Sequence, residues 1–258
     1  MPKLTIPQAF PRGYTSYSQL SSYERCPWYF YRRYVCGVQG ADSYYGVFGR
    51  AIHKVFEHDA NHLLETAQKL SKEKMIEIYD EFWRTNDMCF NGDTEKEGTY
   101  YRNGLAMIDN YYQRSSLKIL ASEHEYQINI PSLGIPIKAV IDLVHEIPSS
   151  DSSIVIRDYK TGKPFSQHEA NNSLQMSIYG MAIKQKYGVY PAKYEFDFLQ
   201  NDSIISTHRK RSEIICAGLR IQNIIEKILN QEFEEKYENK FWCNNICDLG
   251  KARTCQAE

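Results

Sequence analysis

The clearest alternation of apolar and polar positions lies between Ala139 and Pro164, which reads AVIDLVHEIPSSDSSIVIRDYKTGKP. Two short apolar runs flank a turn rich in Pro, Ser and Asp, and charges sit at the tips. Side chains alternate with period two along a strand, so Ile154, Ile156, Asp158 and Lys160 share one face. Val140, Asp142 and Val144 share a face by the same rule. An antiparallel pairing of the two runs brings Asp142, Asp158 and Lys160 together at one end of a sheet.

Elsewhere the period changes. Residues 1–14 carry three prolines and read as an irregular arm. A helix is expected from near Ser16, capped by that serine with Gln19 reaching back in a capping box, and bent at Cys26-Pro27. After a loop from Gly37 to Gly46, Ile52, Phe56, Ala60, Leu63, Ala67 and Leu70 recur at helical spacing and predict an amphipathic helix. Further helices are expected over about 72–84 and 98–120, with a loop from Cys89 to Glu97 between them. A meander follows: SEHEYQINIP, IPIKAVIDLVHEI, a turn over Pro148–Ser153, then SIVIRDYK. Beyond a loop at 160–168 come a helix from Asn172 to Lys186 ending before Gly188, and a strand pair, AKYEFDFLQ and SIISTHRK. A long helix from Ser212 to Tyr237 has its stripe at Ile214, Ile221, Ile225 and Ile228. No linker-like composition divides the chain, so residues 1–258 are expected to form a single domain: 15–120 mainly helical, 121–211 sheet and helix, 212–258 a helix and a Cys-rich end.

Composition narrows the class. A hydrophobic share of 42 % and a charged share of 24 % are those of an ordinary soluble protein. No apolar run approaches the roughly 20 residues of a membrane span, and MPKLTIPQAFPRGYTS lacks the apolar centre of a secretory signal. A cytoplasmic setting, in a bacterium or a phage-infected host cell, is the expectation. The net charge of −1 favours no partner in bulk, so a polyanion would need positive charge concentrated locally. The segment YERCPWYFYRRY sets aromatics among Arg25, Arg32 and Arg33; these either pack with snorkelling stems or line a channel where bases stack. Seven cysteines in a reducing compartment argue against a disulfide framework. Cys243, Cys247 and Cys255 crowd into the last sixteen residues.

Candidate chemistry starts with Asp142, Asp158 and Lys160. Two carboxylates beside apolar positions are costly to bury unless something compensates them. A hard divalent cation does so, and it lowers the pKa of a bound water. Lys160 would reach the same water or the charge that develops; the plain alternative is an edge strand ending in solvent. His53 adjoins the apolar stripe of its helix one turn after Gly49, and as a ligand it would favour Mn²⁺ over Mg²⁺; otherwise it is structural. Gln175 and Tyr179 stand at i and i+4 on the following helix and face one way, either to hold phosphate or orient Lys160, or as ordinary helix residues.

The order of these pieces resembles a known family. GRAIH (Gly49–His53), AVID (to Asp142), DYK (Asp158–Lys160) and QMSIY (Gln175–Tyr179) are similar to the motifs of the RecB-like branch of PD-(D/E)xK nucleases. The likeness covers roughly Tyr17 to Cys255 and departs at Ala139, where the family often has Gly. It implies a restriction-endonuclease-like α/β fold, a central mixed sheet flanked by helices, with a helical N-terminal insertion and a Cys-rich C-terminal segment. It also implies metal-dependent phosphodiester hydrolysis with His53, Asp142, Asp158 and the Tyr159 carbonyl as ligands of Mg²⁺ or Mn²⁺. Lys160 would be the catalytic lysine, with Gln175 and Tyr179 in support.

A subset of that family, including exonucleases of CRISPR adaptation and the AddB nuclease domain, carries an iron–sulfur cluster. Cys26, Cys243, Cys247 and Cys255 stand in the corresponding places and would hold a 4Fe-4S cluster, although the C-x3-C-x7-C spacing is looser than C-x2-C-x5-C. A structural zinc site or free thiols are the alternatives. Cys36, Cys89 and Cys216 read as structural, small buried hydrophobes. The resemblance thus points to a DNA exonuclease acting on single-stranded or free ends in recombination, repair or phage replication, with a helicase or recombination partner on another chain. A structure-specific endonuclease, or a non-catalytic DNA-binding subunit, would fit the same residues.

Overall fold

A computed structural model describes residues 3–40, 42–147, 153–234, 243 and 247–251. The expected turn over Pro148–Ser153 falls, but for Ser153, outside the described residues, as do residues 235–237 of the expected long helix and Cys255. The strands hydrogen-bond in the order β1-β3-β4-β5-β6, with β2 on β3. They are β1 (Thr15–Ser16), β2 (Lys118–Ile128), β3 (Ile137–Ile147), β4 (Ser153–Lys160), β5 (Lys193–Phe198) and β6 (Ser203–Thr207). Pairing is parallel for β1–β3 and β4–β5 and antiparallel for β3–β4 and β5–β6, so the sheet is mixed. Helices flank it, as a restriction-endonuclease-like α/β fold requires. No helix among the described residues is long and apolar enough to cross a membrane.

The chain divides into two compact units, and it passes between them more than once. One unit holds Ser43–Glu125 and Val140–Arg209. Its helices α4 (Tyr44–Thr66), α5 (Lys72–Thr85) and α6 (Thr94–Gln113) bury Phe48, Ile52, Val55, Phe56, Met75, Tyr79, Met107 and Ile108 in one cluster with Leu143 and Tyr159. Each such large apolar side chain contributes about 1.5–3 kcal/mol on leaving water. Gly104 lets α6 pass close to α5, because a Cβ there would collide with the Tyr79 ring.

Strand β4 is buried from Ile154 to Tyr159, as befits a strand covered on both faces. Alternation aims Val155, Arg157 and Tyr159 one way and Ile154, Ile156 and Asp158 the other. Arg157 donates to Glu195 Oε2 at 2.9 and 2.7 Å, its parallel neighbour on β5, which settles a buried guanidinium. The connection from β4 to β5 carries α7 (Gln167–Asn171) and α8 (Leu174–Tyr187). Ser173 caps α8 by accepting the N–H of Met176, and Gly188 ends it at φ 77°, a left-handed position glycine tolerates.

The other unit holds Met1–Asp42, Tyr126–Ala139 and Lys210–Glu258. Here α2 (Tyr17–Arg25) packs on α9 (Arg211–Leu229), and Leu20, Tyr23, Ile221, Ile224 and Ile225 of the two helices are all buried. Arg220 and Glu24 close the pair with a two-bond ion pair at 2.6 and 2.8 Å. After Cys26 come α3 (Pro27–Phe30) and a π-helical turn, Tyr31–Val35. Phe30 and Tyr31 both stack on Phe233, so these aromatics are spent on packing.

Several expectations are corrected. The arm contains a short helix, α1 (Ile6–Ala9), capped at Thr5. Ser16 caps α2 by accepting from Gln19 N at 3.4 Å, but Gln19 is buried and its side chain does not close the box. α4 begins at Tyr44, inside the expected loop, because Ser43 accepts the N–H of Gly46. It ends at Thr66, where Ala67 turns left-handed at φ 58° and Asp59 takes the N–H of Leu70. α6 starts early on the Asp93 cap and stops at Gln113; Lys69 Nζ binds the freed carbonyls of Tyr111, Tyr112 and Arg114, and residues 118–120 are strand. α9 stops at Leu229, with Asn230 as its cap. Cys36 and Cys216 are exposed and Cys89 is half-buried, because they lie at a helix end, on the solvent side of α9 and in a turn.

Candidate metal centre

All the residues of this site lie in the unit of Ser43–Glu125 and Val140–Arg209. β3 and β4 pair from Ile147–Ser153 to Leu143–Arg157, so one step further on stand Asp142 and Asp158. Asp142 Oδ2 accepts the Tyr159 N–H at 2.7 Å and lies 3.5 Å from His53 Nδ1. His53 comes from the half-buried edge of α4. Its Nδ1 is 3.3 Å from Glu123 Oε1 and its Nε2 is 3.1 Å from the Tyr159 carbonyl. His53, Glu123 and Asp142 thus offer three donor atoms within 4.8 Å of one another.

Asp158 belongs to the adjoining half of the site. Lys160 Nζ lies 2.6 Å from Asp158 Oδ2, an ion pair whose direction falls outside hydrogen-bond geometry. Lys160 also donates to Gln175 Oε1 at 3.2 Å. Gln175 Nε2 in turn donates to Asp158 Oδ1 at 2.7 Å and to the Tyr179 hydroxyl at 2.8 Å. Tyr179 donates to Asp158 Oδ1 at 3.3 Å. The i, i+4 spacing on α8 therefore aims both side chains at one carboxylate.

The electrostatics fit a cation. Burial, then the Asp158 charge and Glu123, push the Asp142 carboxyl up to about 7, against the opposing pull of His53 and the Tyr159 N–H. Burial alone would lower the His53 pKa, but Glu123, Asp142 and Asp158 carry it up to about 9. With an acceptor against each ring nitrogen, the imidazole holds its proton. Burial and the two aspartates keep the Tyr179 phenol protonated far above its ordinary value, so it acts as a donor. Carboxylates gathered in a poorly solvated place are stabilised by a divalent ion, and oxygen donors with one imidazole suit Mg²⁺ or Mn²⁺.

Of the residues expected from sequence, His53, Asp142, Asp158, Tyr159, Lys160, Gln175 and Tyr179 meet here. Asp158 stands beside the three-donor group rather than in it. Glu123 was not expected. It sits in β2 with φ 44°, a left-handed backbone that is rare for a residue with a side chain. The alternation in SEHEYQ marks Glu123 and Glu125 as a pair on one face; nothing in it marks the twist that aims Glu123 at His53.

The cysteines lie in the other unit. Cys26 is buried and its Sγ accepts the Tyr29 N–H at 3.4 Å, capping α3. Burial, and then the nearby Cys26, push the Cys243 thiol up. Cys247 is buried. Among the described residues the cysteines form no three-donor group.

No curated protein is similar enough to match the chain. The family model described as the PD-(D/E)XK nuclease superfamily matches residues 14–255, which include every residue from His53 to Tyr179 named above, and the chain belongs to this superfamily of metal-dependent nucleases.

Proposed function

We propose that the chain is a RecB-like exonuclease that hydrolyses DNA phosphodiester bonds from single-stranded ends with Mg²⁺ or Mn²⁺. The observation that carries this reading is the meeting of His53, Glu123 and Asp142 beside an Asp158–Lys160 pair braced by Gln175 and Tyr179. In this reading His53, Asp142, Asp158 and the Tyr159 carbonyl are the ligands, with Glu123 added to them. The bound ion supplies Lewis-acid polarisation of the phosphate and a water of lowered pKa.

The chain's own groups do the rest. Lys160 presents a fixed positive charge where negative charge develops on the phosphate oxygens. Gln175 accepts from Lys160 and donates to Asp158, so one amide sets the separation of the pair. Tyr179 donates to the same aspartate oxygen and keeps it from rotating. Every polar residue expected from the family motifs is present, which favours an enzyme over a non-catalytic DNA-binding subunit.

The test is digestion of 5′- and 3′-labelled single- and double-stranded oligonucleotides with each metal and with EDTA. Asp158→Ala and Lys160→Ala are expected to abolish cleavage with the fold intact; full metal-dependent activity in both variants would sink the reading. Cleavage of closed circular DNA would favour the endonuclease alternative.

A 4Fe-4S cluster on Cys26, Cys243, Cys247 and Cys255 belongs to the same proposal. It is supported by the described cysteines Cys26, Cys243 and Cys247 belonging to one compact unit and by Cys26 lying near enough to raise the Cys243 thiol. Anaerobically purified protein should be brown and absorb near ~400 nm; a colourless zinc protein would overturn it.

A further inference from the structure

On α4, exposed Tyr45 and half-buried Gly49 and His53 follow one another at i, i+4 and i+8, a single ridge of the helix. At a rise of 1.5 Å per residue, Tyr45 stands about 12 Å along the axis from His53. Its ring is 51 % exposed, and a lone exposed tyrosine needs no explanation. What surrounds this one is less ordinary. Tyr44 lies 4.1 Å from it, centroid to centroid, and Tyr100 meets it edge-on at 6.0 Å. Behind them, Tyr44 stacks on Phe90 at 5.3 Å and Tyr100 meets Phe48 edge-on at 5.1 Å. The exposed ring is therefore backed by a packed aromatic wall.

Positive charge lines the same strip. Lys96 Nζ sits 3.9 Å above the Tyr44 ring. Arg50 is exposed one turn further along the helix, and its Nη1 lies 3.8 Å from where a Cβ at Gly46, the residue after Tyr45, would be. Between Tyr45 and His53 stands Gly49, half-buried and without a side chain, where a Cβ would meet Thr161 Oγ1 at 3.6 Å, an ordinary contact. Aromatic ring, glycine, guanidinium and metal-group histidine follow one another along one helix.

We propose that Tyr45, with Arg50 on the same helix, is a base-stacking platform that leads single-stranded DNA along α4 to the metal group. The inference rests on the nuclease reading above. Every base has a π-face, so stacking on a fixed ring holds a strand without reading its sequence, while the guanidinium pairs with phosphate.

The test is fluorescence anisotropy of the full chain with a fluorescein-labelled single-stranded oligonucleotide, with Ca²⁺ in place of Mg²⁺, and with an abasic strand of the same length. Tyr45→Ala should weaken binding of the ordinary strand by about five-fold or more, Tyr45→Trp should restore it, and the abasic strand should bind wild type and Tyr45→Ala alike. Equal binding of the ordinary strand by wild type and Tyr45→Ala overturns the platform alone. So does an equal loss on the abasic strand, which would mark a structural role. A wild-type protein that neither binds any strand nor cleaves with metal brings down the nuclease reading and this inference with it.

Discussion

Asp142 Oδ2 accepts the backbone N–H of Tyr159 at 2.7 Å, just past the last paired residues of the β3–β4 ladder, Leu143 and Arg157. A side chain thus takes over where the backbone ladder ends, and the same carboxylate faces His53. The two duties separate by substitution. Asp142→Asn keeps an oxygen that can accept the N–H but loses the charge; Asp142→Ala leaves a buried N–H without a partner, a cost of about 1–3 kcal/mol. In metal-free buffer Asn should melt clearly above Ala, while neither shows Mn²⁺-dependent activity. Equal melting of the two would mean that the hydrogen bond contributes nothing.

The pH dependence has a definite sign. Asp142 is pushed up to about 7 by burial and the Asp158 charge, and His53 reaches about 9 because its carboxylate neighbours outweigh its burial. Both folded values lie above the unfolded ones, so each group's contribution is full below its unfolded value and is lost as pH rises through the folded value. Without metal, stability should fall as pH passes through about 7 and on toward 9. Metal ions compete with those protons and stabilise the folded state by mass action. The gap between melting temperatures with Mn²⁺ and with EDTA should therefore widen over the same window in a scanning-fluorimetry pH series. A gap independent of pH would count against these ligands.

Much of this was legible from local pattern. The alternation that put Ile154, Ile156 and Asp158 on one face also placed the carboxylate against α8, and the i, i+4 spacing of Gln175 and Tyr179 aimed both at it. What stayed hidden depends on distant partners. The end of α6 is set by Lys69, more than forty residues away, binding the carbonyls of Tyr111, Tyr112 and Arg114, while the apolar spacing there suits helix or strand. α9 ends at Leu229, where the chain turns through a left-handed Gln231 at φ 61°, although the helical composition runs on. The Arg157–Glu195 pair needs the parallel register of β4 and β5, which no single strand reveals.

Gln175 spans both members of the pair it braces, accepting from Lys160 and donating to Asp158. Gln175→Leu keeps comparable volume and removes both bonds. Cleavage rate at saturating Mn²⁺ should fall about 10–100-fold, the usual cost of losing a group that orients a ligand, with the melting temperature little changed. Tyr179→Phe should cost less, because its bond to Asp158 is the longer one at 3.3 Å. A Gln175→Leu protein with wild-type rate would remove the amide from the mechanism.

Glu123 occupies a left-handed backbone, φ 44°, inside a strand, and its carboxylate is a donor of the metal group. Such a conformation costs a residue with a Cβ roughly 1–2 kcal/mol, and glycine almost nothing. If the backbone is held there by its surroundings, Glu123→Gly should be more stable than Glu123→Ala by about 1 kcal/mol. That order is the reverse of the usual penalty for glycine in a strand. Both variants lose a donor, so both should show a smaller Mn²⁺-dependent rise in melting temperature than wild type. An alanine variant as stable as the glycine variant would show that the chain relaxes there without cost, and that the twist serves no purpose at the site.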